Sequence, residues 1–349
     1  MLNRDMKGDS LEVHIPSHNR VVNVASVPQR SPFRYPDGKT WLVPRVRAWL
    51  ESMQRRPRLL IEPFAGGAIV SLTAIMEDLT DRILMIEIDP DVAAVWNVIL
   101  KGNYKELIKR IINFRISRET AIESLSVQPQ NEIDRAFQTI LRNRVQRGGI
   151  LAPGASLVKN GENGRGVASM WYPITLAHRI EAIAIVRDRI DFREGDALGI
   201  LPHYLGLKSC AFFIDPLYAA GGKRAGTRLY AHNHVDHLAL FGLMQRARGE
   251  VLLTCDDAAE VQMLAKQHGF CIEAAPMANT HRSLLFELLI TNRPLSYSPP
   301  PQSQMEAEFR DDIRDKSPSG RTRFSSRPRS QRLSRSKSKG AERHATTPT

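Results

Sequence analysis

The sequence predicts an α/β protein built on a doubly wound, mostly parallel sheet. Three observations predict it. From Arg58 onward, short apolar runs alternate with segments of helical periodicity. Two of those runs end in turn chemistry, Gly66-Gly67 after one and Asp215-Pro216 after another, where open α/β sheets place their ligands. The chain has 349 residues, 42% hydrophobic and 25% charged, which is enough for one large core carrying an insertion and a tail.

The elements follow in order. Residues 1–30 show weak periodicity and read as a lead-in. RLLIEPFAGG, from Arg58, is a buried strand closed by a tight glycine turn, and AIVSLTAIMEDL has helical spacing. RILMIEID is a second buried strand. PDVAAVWNVILKGNYKELIKRIINF starts with Pro90 at a helix start and reads as one helix. NEIDRAFQTILRNRVQ is helical, but the Gly- and Asn-rich RGGILAPGASLVKNGENGRGVASMW that follows breaks the rhythm. Residues 129–172 are therefore expected to form an insertion. TLAHRIEAIAIVRDRI is a helix and IDFREGDAL a strand with a polar end. SCAFFIDPLY is a strongly apolar strand ending in Asp-Pro. HVDHLALFGLMQRARG, EVLLTCDD, AAEVQMLAKQHG, GFCIEAAP and LLFELLITN then read as helix, strand, helix, strand, strand.

Two motifs carry chemistry. Glu62-Pro63-Phe64-Ala65-Gly66-Gly67-Ala68 joins a strand to a helix. Glycines there admit positive φ and let a ligand approach the backbone, and the helix start offers unpaired N–H groups. Glu87 ends the next strand at the distance where an acid can take a ribose hydroxyl. The third glycine of a G-x-G-x-x-G dinucleotide fingerprint is missing. A nucleoside cofactor without a pyrophosphate fits better, and S-adenosylmethionine is the obvious one. The other motif is Asp215-Pro216-Leu217-Tyr218. A carboxylate and the Pro216 carbonyl can accept both hydrogens of an exocyclic amino group, while Tyr218 stacks on the base, worth about 1–3 kcal/mol.

In this order the motifs resemble those of the Dam-type (class alpha) DNA adenine-N6 methyltransferases. FRYPDGK (Phe33–Lys39) is similar to that family's N-terminal motif, EPFAGGA to its cofactor loop, IEIDPDVAAVW and FREGDAL to its second and third motifs, and FFIDPLY to its D-P-P-Y catalytic motif. LRNRVQRGG resembles the Asn-Arg segment before the target-recognition region, and HRSLLFELLITN the closing strand. The likeness spans about residues 31–294.

The resemblance implies a Rossmann-like S-adenosylmethionine-dependent methyltransferase fold with a target-recognition insertion. Its catalytic domain would comprise residues 31–128 and 173–298, with the insertion at 129–172. By the same resemblance, Tyr35 and Lys39 contact the cofactor's methionine end and the floor of the site. Phe64, Ala65 and Gly66 line the cofactor, Glu87 holds its ribose and Asp196 its adenine amino group. Asp215, Pro216 and Tyr218 hold an adenine flipped out of duplex DNA. Site-specific DNA adenine methylation follows as the expected activity. Double-stranded DNA is the expected partner and a cognate restriction endonuclease a further one, with the chain a monomer. Asp37 stands where the family has glycine and Leu217 where it has a second proline. They leave open an impaired or non-catalytic DNA-binding homologue; an RNA adenine methyltransferase is the other alternative.

The net charge is +12, and ten Lys/Arg against one acid lie between Lys316 and Arg343, so most of the excess sits in one Ser/Arg-rich segment. That segment, within residues 299–349, has too few large apolar residues to offset ordering entropy and is expected to be a disordered tail giving salt-sensitive affinity for phosphates. Arg142, Asn143, Arg144, Arg147, Lys159 and Arg165 are expected to read DNA from the insertion. Lys223, Arg224 and Arg228 are expected to meet phosphates from the loop after the catalytic motif.

Cytosine-C5 chemistry is excluded, because none of Cys210, Cys255 and Cys271 follows a proline as its nucleophile does. The cysteines form no metal-ligand pair, and His232, His234 and His237 have no supporting carboxylate pattern, so no metal is expected. With no run of 18 apolar residues and no secretory signal, no membrane association is expected, and a cytoplasmic, nucleoid-associated location is.

Overall fold

A computed structural model describes residues 22, 24–34, 38–152, 154–216, 235–278 and 284–295. Tyr35, Asp37, Leu217, Tyr218, Lys223, Arg224, Arg228, His232, His234 and the basic tail lie outside the described residues.

Seven strands form one sheet in the order β3-β2-β1-β4-β5-β7-β6. They are β1 Leu59–Glu62, β2 Arg82–Glu87, β3 Ile190–Glu194, β4 Cys210–Ile214, β5 Glu250–Asp256, β6 Cys271–Ala278 and β7 Leu284–Thr291. The β1–β2, β1–β4, β2–β3 and β4–β5 pairs are parallel, and β7 runs antiparallel to both β5 and β6. This is the Rossmann-like α/β architecture expected from the sequence. The order reverses between β1 and β4, so a crevice opens past the carboxyl ends of those two strands.

Alternation along the strands explains why helices cover both faces. Leu60, Ala211, Phe213 and Leu252 pack into one apolar cluster. Their neighbours Ile61, Phe212, Ile214, Val251 and Leu253 pack into another. Strands buried on both sides read as continuous apolar runs, as these do.

The first face carries α1 Val43–Glu51, α2 Ile69–Met76, α3 Pro90–Leu100, α4 Tyr104–Asn113, α6 Glu132–Val145 and α7 Pro173–Ile185; α5 Arg118–Ser126 packs on α6. The second carries the short α8 Ala197–Ile200, then α9 His237–Gln245 and α10 Ala259–Gln267.

Two expectations change in detail. The long helix expected from Pro90 is two helices, because Gly102 at φ +99° turns the chain between α3 and α4. The segment expected as an insertion begins with α6, which lies against α3. Phe137 of α6 meets Phe114 and Trp171 edge-on, with ring centroids 5.1 and 6.4 Å away, so this stretch belongs to the core.

Candidate active site

The site begins at the turn after β1. Gly66 (φ +45°) and Ala68 (φ +50°) both adopt left-handed backbone, which bends Phe64–Ala68 tightly into α2. For Ala68 that conformation carries a steric cost of about 1–2 kcal/mol. The strain is held by bonds on either side: Ala68 N–H donates to the Ala65 carbonyl at 2.6 Å, Ala65 N–H to Ile86 at 3.0 Å, and buried Trp96 donates its indole N–H to the Gly66 carbonyl at 3.0 Å. A loop fixed by its outer surface keeps its inner surface for a ligand.

Glu87, at the end of β2, faces this turn. Its Oε2 accepts the Gly66 N–H at 2.8 Å, and its Oε1 accepts the N–H groups of Ile88 and Asp89, both at 2.9 Å. Loss of water around the carboxylate pushes its pKa up to about 7, against these three bonds, which favour the charged form. A carboxylate oxygen accepts two hydrogen bonds, so Oε2 keeps room for a hydroxyl donor. Beyond β3, Gly195 N–H donates to the Glu87 carbonyl at 2.8 Å, and exposed Asp196 caps α8 through the Leu198 N–H at 3.1 Å.

A second cluster lies at the end of β4. Asp215 Oδ1 accepts from Thr254 Oγ1 at 2.9 Å and from the Lys39 ammonium at 3.0 Å. Lys39, only 5% exposed, also pairs with Glu287 of β7 at 3.0 Å. Burial works to lower the Lys39 pKa, but the Asp215 and Glu287 carboxylates outweigh it and hold the ammonium charged well above the ordinary lysine range. Lys39 thus ties the segment before α1 to the end of β4 and to β7. Pro216 is buried beside it. Glu62, at the end of β1, accepts the Ser71 N–H at 2.9 Å, and burial pushes its pKa up to about 8.

One cavity of about 790 Å³ joins the two clusters. Phe64, Ala65, Gly66, Glu87 and Asp196 line it toward the glycine turn, and Lys39, Glu62 and Asp215 toward β4. The volume lies in the range of small-molecule sites. A left-handed glycine turn, an acid with an open lone pair and an apolar ring at Phe64 suit a nucleoside carrying a short polar arm, as S-adenosylmethionine does.

The basic residues expected at a nucleic-acid surface divide. Arg147, Lys159 and Arg165 are exposed, with Arg165 reaching the Tyr172 hydroxyl at 3.2 Å. Arg142 pairs with Asp91 of α3 at 2.8 Å, which fastens α6. Asn143 and Arg144 lie in the interior instead. Asn143 is fully buried: its Oδ1 accepts the Arg34 N–H at 2.9 Å, and its Nδ2 donates to the carbonyls of Arg34 at 2.7 Å and Gly149 at 2.8 Å. Arg144 Nη2 donates to the Pro32 carbonyl. Burial was invisible in a helix segment as polar as LRNRVQ. Glu287 and Glu62 were missed; the signal was an acid set among apolar residues at a strand end or interior.

Among the described residues, no group of three or more His, Cys, Asp or Glu could hold a metal, and no helix is long and apolar enough to cross a membrane.

No protein-family model matches the chain, and no curated protein matches it in sequence. Among solved structures it is similar to the precorrin-6y C5,15-methyltransferase of Geobacter metallireducens, at 11% identity over 77% of this chain and 97% of that one, with a TM-score of 0.36. It is also similar to an rRNA methyltransferase of Streptomyces viridochromogenes (12% identity, 80% and 88% of the chains, TM-score 0.33) and to the m1A22 tRNA methyltransferase of Bacillus subtilis (9%, 72% and 65%, 0.31). Likenesses this slight carry no argument about activity or substrate.

Proposed function

We propose that this protein is an S-adenosylmethionine-dependent methyltransferase that methylates the exocyclic N6 of adenine in DNA. The observation that carries the reading is the single cavity in which Asp215, at the end of β4, shares walls with the glycine turn and Glu87. A nucleoside cofactor and an amino-bearing base fit side by side in such a cleft.

The bound cofactor supplies an electrophilic sulfonium methyl. The chain's own groups do the rest. Glu87 takes a ribose hydroxyl through Oε2, and the Phe64–Gly66 turn confines the adenosine. Asp215 and the Pro216 carbonyl accept the two N6 hydrogens of the target base, which favours a tetrahedral nitrogen with its lone pair aimed at the methyl carbon. With the cofactor held by Glu87 and the glycine turn, these contacts would keep that lone pair in line with the methyl group the cofactor would supply. The proton then leaves N6 toward Asp215. Lys39 cannot take that proton, because Asp215 and Glu287 hold it charged; its task is to keep Asp215 in place. Rate enhancement comes from positioning and fixed electrostatics.

Exposed Arg147, Lys159 and Arg165, with Lys223, Arg224 and Arg228 after the catalytic motif, would meet the nucleic-acid backbone. Incubation with methyl-labelled cofactor and mixed-sequence duplex DNA, followed by nucleoside analysis, should place label in N6-methyladenine. Asp215→Ala should abolish it while cofactor binding persists. Label in cytosine refutes the reading. Label confined to RNA in a parallel reaction moves the substrate to the other nucleic acid.

A further inference from the structure

The described mechanism leaves three arginines in the cavity wall without a task. Arg34 comes from the segment before α1, Arg144 from α6 and Arg179 from α7, and all three line the cavity. Arg144 is only 5% exposed. Its Nη2 bonds the Pro32 carbonyl, while its Nε is buried with no hydrogen-bond partner. Arg179 donates Nη1 to the Ser31 carbonyl at 3.1 Å. Neither Arg144 nor Arg179 forms an ion pair with a carboxylate among the described residues. Desolvation, then repulsion from Arg179 and Arg34, pushes the Arg144 pKa down to about 9. The guanidiniums of Arg144 and Arg179, close together, desolvated and bonded to carbonyls, are unfavourable alone and favourable around an anion.

From this cluster in the cavity wall we infer an oxyanion subsite, formed by Arg144 and Arg179 with Arg34 beside them, that takes the α-carboxylate of the cofactor's amino-acid end. The inference rests on the proposed function above and specifies how that site orients its ligand. The depth of Arg144 decides between sources of the anion. A phosphodiester stays at the rim of a nucleic-acid cleft, whereas a carboxylate on a short flexible arm reaches a guanidinium that solvent barely touches. The subsite also gives Asn143 a reason to be buried where it is. Asn143, Arg144 and Arg179 together hold the backbone of Ser31, Pro32 and Arg34, so the same side chains fix the stretch leading to Lys39.

The test compares S-adenosylhomocysteine with 5′-methylthioadenosine, which lacks the amino-acid arm, by calorimetric titration of the full chain. In Arg179→Met, the Kd for S-adenosylhomocysteine should rise about 10- to 100-fold, while that for methylthioadenosine changes less than about twofold. Arg144→Met should show the same selective loss, with Arg144→Lys in between. Arg179→Met is the decisive variant should Arg144→Met fail to fold, since Arg179 is the less buried of the two. Equal weakening of both ligands, or no weakening of either, overturns the subsite. A third arm titrates labelled duplex across salt: variants that flatten its salt dependence and leave S-adenosylhomocysteine binding intact assign the arginines to phosphate and also overturn it. If the unsubstituted protein binds neither nucleoside, the proposed function itself fails.

Discussion

Lys39→Met removes the cation that separates Asp215 from Glu287. At 3.0 Å each, and with an effective dielectric of about 20, either pair is worth about 5.5 kcal/mol of gross attraction. Desolvation of the three charges offsets most of that, at several kcal/mol per ion. Breaking such a buried arrangement costs about 3–5 kcal/mol, because two carboxylates are left without their counter-ion. At about 2–4 °C per kcal/mol, the melting temperature should fall by about 6–20 °C at pH 8. The Lys39 pKa is raised in the folded protein, so its contribution is complete below the unfolded lysine value and is lost only as pH climbs past the higher folded one. The parent protein should therefore show no step from Lys39 near neutrality. In the variant, Asp215 and Glu287 lose the cation that each pairs with at 3.0 Å. Thermal melts at about pH 8 should show the deficit, with Lys39→Met/Glu287→Gln recovering much of it. A single variant as stable as the parent, or a double variant no better than the single, refutes the reasoning.

Other expectations follow from the same geometry. Glu62 has a folded pKa raised above its unfolded value, so its ionisation costs stability from about pH 4.5 upward; Glu62→Gln, which keeps an acceptor for Ser71, should gain more in melting temperature at pH 9 than at pH 5. Asn143→Ala removes the side-chain partner of the buried Gly149 carbonyl and of two partly buried Arg34 backbone groups, at up to about 1–3 kcal/mol each, and should lower both the melting temperature and S-adenosylhomocysteine affinity, read by melting and titration. Gly249→Ala would place its Cβ 2.1 Å from the Cys210 carbonyl, so denaturant melts should show a loss above the roughly 1 kcal/mol of a typical substitution. Burial raises the thiol pKa of Cys210 to about 12 and that of Cys255 well above the ordinary value, so a thiol reagent on native protein should modify half-buried Cys271 first.

The strands were legible because this sheet is buried on both faces. Runs such as CAFFI need no periodicity to stand out, and β1, β2 and β4 each lead into residues that line the cavity. That Phe64, Gly66, Glu87 and Asp215 share one cavity was legible for a related reason: a doubly wound sheet opens its crevice at strand ends, which sequence order marks. Helix breaks were harder, since Gly102 interrupts an otherwise unbroken helical pattern. Polar residues of α6 were harder still. Arg142 and Asn143 have the chemistry of base readers, but an ion pair to Asp91 and three backbone bonds assign them to holding helices and a chain segment. Partnerships between residues nearly 250 positions apart, such as Lys39 with Glu287, leave only a faint trace in one sequence.

A crystal structure with sinefungin and an adenine-containing oligonucleotide tests the central claim most directly. The account predicts sinefungin between Glu87 and the glycine turn, and an extruded adenine whose amino nitrogen lies within hydrogen-bond distance of Asp215 and the Pro216 carbonyl. A base held elsewhere, or the inhibitor filling the space beside Asp215, would contradict it.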